Sequence, residues 1–411
     1  SSPIVEWEQL ESSDVTKKNL EISLSSLCHF TSSGTLEDRG LLLQNELTRV
    51  WRGKSREPAQ YYYDVTKMIY NGSSCPYAQR GYYPGGKTKR NVIGFGLVTS
   101  KIHHHPVLCR AIPGSYNDTQ TLRDTVNHLK GFGYKHLTLI LDRGMISEKN
   151  VKFALGAEYD MIGIVPETNN AVWECFQKWP REKIEQPKFV VARPSGSTAY
   201  AREWTAPVLG QKKMKVVMVS DPVRAVEERV GRDLLLWELE QTPSKERVQE
   251  IRRSLKHLTR PKKGRRGFEL DEAKVKEEEM GYGRYLMFST DMKMKADEIF
   301  SVYFQKDVIE KAFRTMKGAL SAGPIRYRRK DRIDAYTTVL YIAYLLWSRA
   351  ERRLRKKYPS MTISEVLRTV EEVSLIQFRS KKLIRKWTTQ LTKKQEELLS
   401  HLGATQYLPH P

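Results

Sequence analysis

From residue 59 onward the apolar positions fall into short, distinct patterns. AQYYYDVT is rich in β-formers, NVIGFGLVTS alternates, and PVLCRAIPG follows a brief polar link, so three consecutive strands are predicted. GSYNDTQTLRDTVNHLKGFG opens with turn residues and continues with helical periodicity, with Asp118 or Thr119 as the expected N-cap. HLTLILD is a continuous apolar run ending in a carboxylate, the pattern of a strand buried on both faces. SEKNVKFALG reads as a helix and YDMIGIVP as another strand. Short strand-helix alternation over 134–166 requires parallel neighbours there, and the whole predicts an α/β layered fold with a mixed sheet.

Between 167 and about 294 the pattern loosens, with strands expected at KFVVARP, AREWTAPVL and KVVMVSD and a charged helix at PSKERVQEIRRSLKHL. Strand texture returns in YGRYLMFSTD at 282–291, and ADEIFSVYFQKDVIEKAFRTMKGAL is helical with no proline. The domain expectation is therefore a partly helical segment at 1–58, a core at 59–166 and 282–348, a mainly β insertion at 167–281, and a basic helical region at 349–411. The first of these is read as the remnant of a DNA-binding region.

Charge narrows the function. Lys and Arg total 70 against 48 Asp and Glu, a net charge of +22, and such a surplus makes nucleic acid the leading partner. VLYIAYLLW, the most apolar stretch, falls well short of the roughly 20 residues a membrane span needs, so no membrane role is expected. Cysteines at 28, 75, 109 and 175 never approach a C-x-x-C spacing, so neither a zinc ribbon nor a disulfide framework is suggested, which fits a reducing cytoplasm. No basic segment followed by an apolar run opens the chain, so no secretory signal is read, and the absence of an initiator Met predicts a segment upstream.

Two aspartates, Asp64 in YYYDVT and Asp142 in LILDRG, end or interrupt predicted strands. A carboxylate beside a buried strand is costly unless it is paired or bound to a cation, although either alone also suits a turn-capping residue. On a continuous helix over 303–317, Tyr303, Lys306, Glu310, Arg314 and Lys317 fall within an arc of roughly 80°. Val308, Ile309, Ala312, Phe313 and Met316 take the other side. An ordinary solvated face accounts for the charges but not for a tyrosine at the same spacing. Three carboxylates would make a hard, oxygen-rich site for two Mg²⁺ or Mn²⁺ ions, suited to phosphodiester chemistry.

With these residues in view, the chain resembles a known family. YFQKDVIEKAFRTMK at 303–317 is similar to the Y-x2-R-x3-E-x6-K signature of insertion-sequence transposases of the IS-four type, with Tyr303, Lys306, Glu310 and Lys317 in its four positions. DVTKMIY, GSYNDTQTL and DRGMIS look like the family's blocks around its two aspartates, and IRYRRKDRIDAYTTVLYIAYLLW like its closing helix. The resemblance implies an RNase H-like mixed five-stranded sheet flanked by helices, and a triad of Asp64, Asp142 and Glu310 that is both catalytic and metal-binding. It further implies a cut-and-paste DNA transposase acting with Mg²⁺ or Mn²⁺ on double-stranded DNA ends and target. A homodimer in a synaptic complex, a prokaryotic nucleoid setting and no small-molecule cofactor follow as expectations. Lys306 departs from the signature Arg, keeping the charge but losing bidentate geometry. Ala335 and Tyr336 stand where relatives often place a His.

RRSLKHLTRPKKGRRG at 252–267 is the densest basic cluster, and Arg252, Arg253, Lys262, Lys263, Arg265 and Arg266 are its expected DNA contacts, alongside Tyr303, Lys306, Arg314 and Lys317. Two other functions stay open at this level: a structure-specific RNase H-like nuclease without strand transfer, and a domesticated DNA-binding protein.

Overall fold

The structure, a computed structural model, describes residues 39–52, 60–72, 74–82, 89–193, 196–241, 244–255, 258–261, 268–380, 383–405 and 408. They form two compact units: one takes the N-terminal helix with 63–116 and 308–411, the other 60–62 and 117–307.

The first unit opens with helix α1 (Arg39–Arg52) and strands β1 (Gln60–Ile69), β2 (Gln79–Tyr82), β3 (Lys89–Ser100) and β4 (Pro106–Pro113), the first residues of β1 belonging to the second unit. β3 is the hub. It pairs antiparallel with β2 along Lys89–Val92 and with β4 along Ile93–Thr99, and it also neighbours β1. The three predicted strands are thus β1, β3 and β4; β2 is an addition that the Gly- and Tyr-rich sequence did not announce.

The second unit carries α2 (Asp118–Gly131), β5 (Thr138–Leu141), α3 (Glu148–Gly156), β6 (Asp160–Ile164), α4 (Asn170–Lys178) and the short α5 (Arg181–Ile184). β7 (Val190–Ala192), β8 (Thr198–Val208), β9 (Gln211–Ser220), α6 (Pro222–Glu240), α7 (Lys245–Ser254), β10 (Thr259–Pro261) and β11 (Phe268–Leu270) follow. α8 (Glu272–Gly281), β12 (Arg284–Ser289) and α9 (Ala296–Phe304) close the unit. β5 and β6 are parallel, as the strand-helix alternation requires. The cap of α2 is Asn117 rather than Asp118 or Thr119: its side chain accepts from the Gln120 backbone, and Gln120 reciprocates in a capping box.

The sheet of this unit runs β5-β6-β12-β9-β8-β7, with antiparallel pairs at β6-β12, β12-β9, β9-β8 and β8-β7. The protein is therefore α/β with a mixed sheet flanked by helices, broadly RNase H-like but with more strands than a five-stranded sheet. The reason lies in β12, whose six residues are all buried. A strand buried on both faces needs a hydrogen-bonding neighbour on both edges, and β9 from the insertion supplies the second one. The insertion is also less β than expected, because α6, α7 and α8 lie between β9 and β12. Gly283 makes the return into β12 with φ +61°, and an added Cβ there would lie 2.2 Å from the Asp221 carbonyl oxygen.

The chain then re-enters the first unit with α10 (Asp307–Lys317), α11 (Lys330–Arg355), α12 (Ile363–Glu371), β13 (Leu375–Ser380), β14 (Leu383–Thr388) and α13 (Lys393–Leu402). α1 and α11 cover β4: Gln44 bonds the Cys109 backbone through both amide atoms, and Thr48 shares a 2.6 Å hydrogen bond with Tyr341. No described helix is long and apolar enough to cross a membrane, and Cys75, Cys109 and Cys175 are free and buried.

The expected single helix over 303–317 is two helices. α9 ends at Phe304, the Lys306 amide turns back to the Tyr303 carbonyl, and α10 begins at Asp307. The cause is the phase of the apolar face. Tyr303 is buried and Glu310 is exposed, yet on one continuous helix seven residues would put them on the same side. Breaking the helix resets the phase, so that Val308, Ile309, Ala312, Phe313 and Met316 all turn inward.

Candidate functional site

Each predicted aspartate sits at a position its local sequence dictates. Asp142 ends β5 because the apolar run TLIL is exhausted there; its side chain then caps a short 3₁₀ turn, accepting from the Arg143 amide at 2.8 Å. Asp64 lies within β1, half-buried, and its Oδ1 accepts from the Val65 amide at 2.8 Å. In both cases one carboxylate oxygen is oriented by the chain's own next N–H.

In the second unit Asp142 meets two signature residues. Lys306 Nζ lies 3.0 Å from Asp142 Oδ1, and the lysine side chain is only 12% exposed. Burial alone would raise the Asp142 carboxyl, but the Lys306 ammonium, aided by the Arg143 amide, holds it below the usual carboxylate range. Tyr303 is buried nearby; burial first, and then the Asp142 charge, push its phenol well above the ordinary value, so it stays a hydroxyl donor. Lys306 also sits 5.6 Å from the Tyr303 ring centroid. Beyond Asp142 opens a cleft of about 960 Å³ lined by Arg143, Glu167, Trp173, Arg224, Arg232 and Arg284 among others. Arg143 pairs with Glu167, and Arg232 with Glu279 and Asp233, so much of this basic surface is already partnered.

In the first unit the structure brings Lys317 to the strand that carries Asp64. Its Nζ donates to Thr66 Oγ1 at 2.5 Å, and burial lowers its pKa, an effect the Asp64 charge opposes. Glu310 and Arg314 are exposed on the outer side of α10, while Arg252 and Arg253 are exposed at the end of α7. Lys262, Lys263, Arg265 and Arg266 lie outside the described residues. Thr66, Arg143 and Glu167 were not anticipated. Arg143 directly follows the key aspartate and Thr66 sits two residues beyond the other, which places both on the elements already singled out.

Carboxylate oxygens are the donors Mg²⁺ and Mn²⁺ prefer, so the chemistry of Asp64, Asp142 and Glu310 suits such ions. Among the described residues, no group of three or more His, Cys, Asp or Glu side chains is gathered to hold a metal ion. On Asp142 the positive charge close by is the ammonium of Lys306.

The sequence profile of the family described as "Transposase DDE domain" matches residues 63–346, more than half of the chain. The chain belongs to that family. No curated protein matches this DDE-domain chain. Among solved structures it is similar to the piggyBac transposase synaptic complex with hairpin DNA, at 10% identity and TM-score 0.34 over 86% of this chain and 75% of that one. It is also similar to the Mos1 transposase paired-end complex with left transposon end, at 12% identity and TM-score 0.18 over 39% of this chain and 54% of that one. A Mos1 mariner paired-end complex with Mn follows at 13% identity and TM-score 0.15, with the same coverage.

Proposed function

We propose that this DDE-domain protein is a cut-and-paste DNA transposase of the IS-four type, cutting and joining double-stranded DNA at terminal inverted repeats. The observation that supports it most is the grouping of Asp142 with Tyr303 and Lys306, two residues of the signature, in a chain of net charge +22. Asp64, Asp142 and Glu310 would hold two Mg²⁺ or Mn²⁺ ions, which supply charge stabilisation for in-line phosphodiester displacement when bound. Lys306 is placed to take a phosphate when it leaves Asp142, and Tyr303, kept protonated by burial, to donate a hydrogen bond beside it. Lys317, its charge disfavoured by burial, gains from an incoming phosphate. Function as a homodimer on paired ends belongs to the same reading.

The test is incubation of the protein with terminal-repeat DNA and Mg²⁺, followed by separation of nicked, hairpin and joined products. Joined products support the transposase. Nicking without joining would indicate a structure-specific nuclease, and binding without cleavage a DNA-binding protein that keeps only the fold.

A further inference from the structure

Helix α6 carries a face that the sequence reading left unread and that the proposed catalysis does not use. Its inner side is anchored: Leu235, Leu236 and Leu239 pack against the buried cluster of Ile251, Leu255 and Leu258, which Val275 also contacts. On the opposite side Val223 is 65% exposed, Val226 59%, Val230 48%, Leu234 58% and Trp237 58%. At about 100° per residue these five fall within an arc of roughly 80° and make one straight stripe about 21 Å long. Single exposed apolar residues are ordinary, but an aligned row of five, four turns long, marks an interaction surface.

The charges beside the stripe indicate what covers it. Glu227, Asp233 and Glu238 flank it closely, which opposes a phosphate backbone and sets this face apart from the basic surfaces of the chain. Arg224 and Arg229 outnumber Glu227 along its N-terminal half, whereas Asp233 and Glu238 flank its C-terminal half. Such a face is complementary to itself when turned end for end. We propose that α6 docks a second copy of this chain, antiparallel, about a two-fold axis passing through Val230.

In that register Val223 meets Trp237 of the second copy, Val226 meets Leu234, and Val230 meets itself, so every apolar residue is covered. Antiparallel helices bring like flanks together. Arg229 then comes level with Asp233 on one flank and Arg224 with Glu238 on the other. Within one copy Arg229 is held only loosely, 3.9 Å from Glu279, and is open to this pairing. Asp233 already pairs with Arg232, Arg224 with Glu228 and Glu238 with Arg247, so both cross-copy pairs extend existing ones. A single helix pair is smaller than the roughly 1,600 Å² of a standard stable interface, so association is expected at micromolar concentration. The inference does not rest on the catalytic reading, and its test involves neither DNA nor metal.

The experiment is sedimentation equilibrium of the full chain without DNA, with oxidative cross-linking of single-cysteine additions. The parent chain should show a concentration-dependent dimer, and Val230→Glu should weaken it at least tenfold with an unchanged circular dichroism spectrum. Arg229→Asp and Asp233→Arg should each weaken it, and the two together should restore it, which a merely disruptive substitution would not do. Val230→Cys should cross-link copies far faster than Val223→Cys or Trp237→Cys, since only position 230 faces itself. A monomer at all concentrations would overturn the proposal. So would cross-linking that is equal at the three positions, or a Val230→Cys thiol unreactive in the monomer, which would mean that the chain covers its own stripe.

Discussion

Lys306 reaches Asp142 from the break between α9 and α10, its Nζ 3.0 Å from the carboxylate of a residue that ends strand β5. A positive charge on a nearly buried stem thus balances the carboxylate that is assigned to metal binding. Replacing the ammonium by Lys306→Met should raise the Asp142 pKa, because burial then opposes the charged form with less to offset it. The folded value in the parent chain lies below the unfolded value of about 3.9. The pair therefore contributes stability that is complete above that pH and is lost as pH falls through the folded value. NMR titration of the carboxyl carbon should show the rise. Denaturation midpoints of parent and variant should converge in acid, and a gap that persisted there would mean that the lysine acts through packing.

The triad makes a separate claim. Asp64→Ala, Asp142→Ala and Glu310→Ala should each abolish Mg²⁺-dependent cleavage while leaving DNA affinity within a few-fold of the parent. Substantial cleavage by Glu310→Ala would remove that residue from the metal site.

Lys317 tests the division between holding DNA and holding the fold. Its ammonium is disfavoured by burial beside Thr66, so Lys317→Met should keep the stability of the parent chain within about 1 kcal/mol. It should nonetheless slow joining of pre-nicked terminal-repeat DNA at least tenfold, more than it slows first nicking of intact DNA. Equal effects on both substrates would reject a role in gripping ends.

Gly283 occupies the left-handed region at the entry to β12, with the Asp221 carbonyl where a Cβ would go. Gly283→Ala should lower stability by about 2 kcal/mol or more, combining backbone strain with the clash. Urea unfolding at neutral pH measures it, and a loss under about 0.5 kcal/mol would show that the turn adapts.

DNA affinity should fall steeply with salt, because phosphate contact dominates binding by so basic a chain. Arg252→Gln with Arg253→Gln should weaken binding uniformly across sequences and reduce the salt slope by up to about 2. An unchanged slope would leave these exposed residues of α7 as a solvated helix end.

Much of the architecture follows from local pattern. The alternation of NVIGFGLVTS, the apolar run before Asp142 and the helical period of α2 depend on neighbours in the chain, and each appears where the pattern places it. The candidate residues were picked out for the same reason. Asp64 and Asp142 stand out as carboxylates on apolar strands, and the pairing of Tyr303 and Lys306 with Asp142 agrees with the signature even though the helix that was to carry them is broken. The break itself could not be read. Every residue from 303 to 317 tolerates a helix, and only the burial of Tyr303 on one side of the break and of Ile309 on the other forces the phase to reset.

What the sequence alone determined was the strand and helix alphabet of much of the family-matched region, its charge, and the chemical identity of its carboxylates, since these depend on residue type and short-range period. Tertiary structure decided that β9 completes the edge of β12, so that an apparent insertion extends the sheet, and that Lys306 balances Asp142. It also decided which side of α6 is left outside. Leucines and valines on both sides of that helix look alike as sequence; only the packing of Leu235, Leu236 and Leu239 against α7 leaves the Val223–Trp237 face to solvent. Partner choice between distant segments is a property of burial, which no local period encodes.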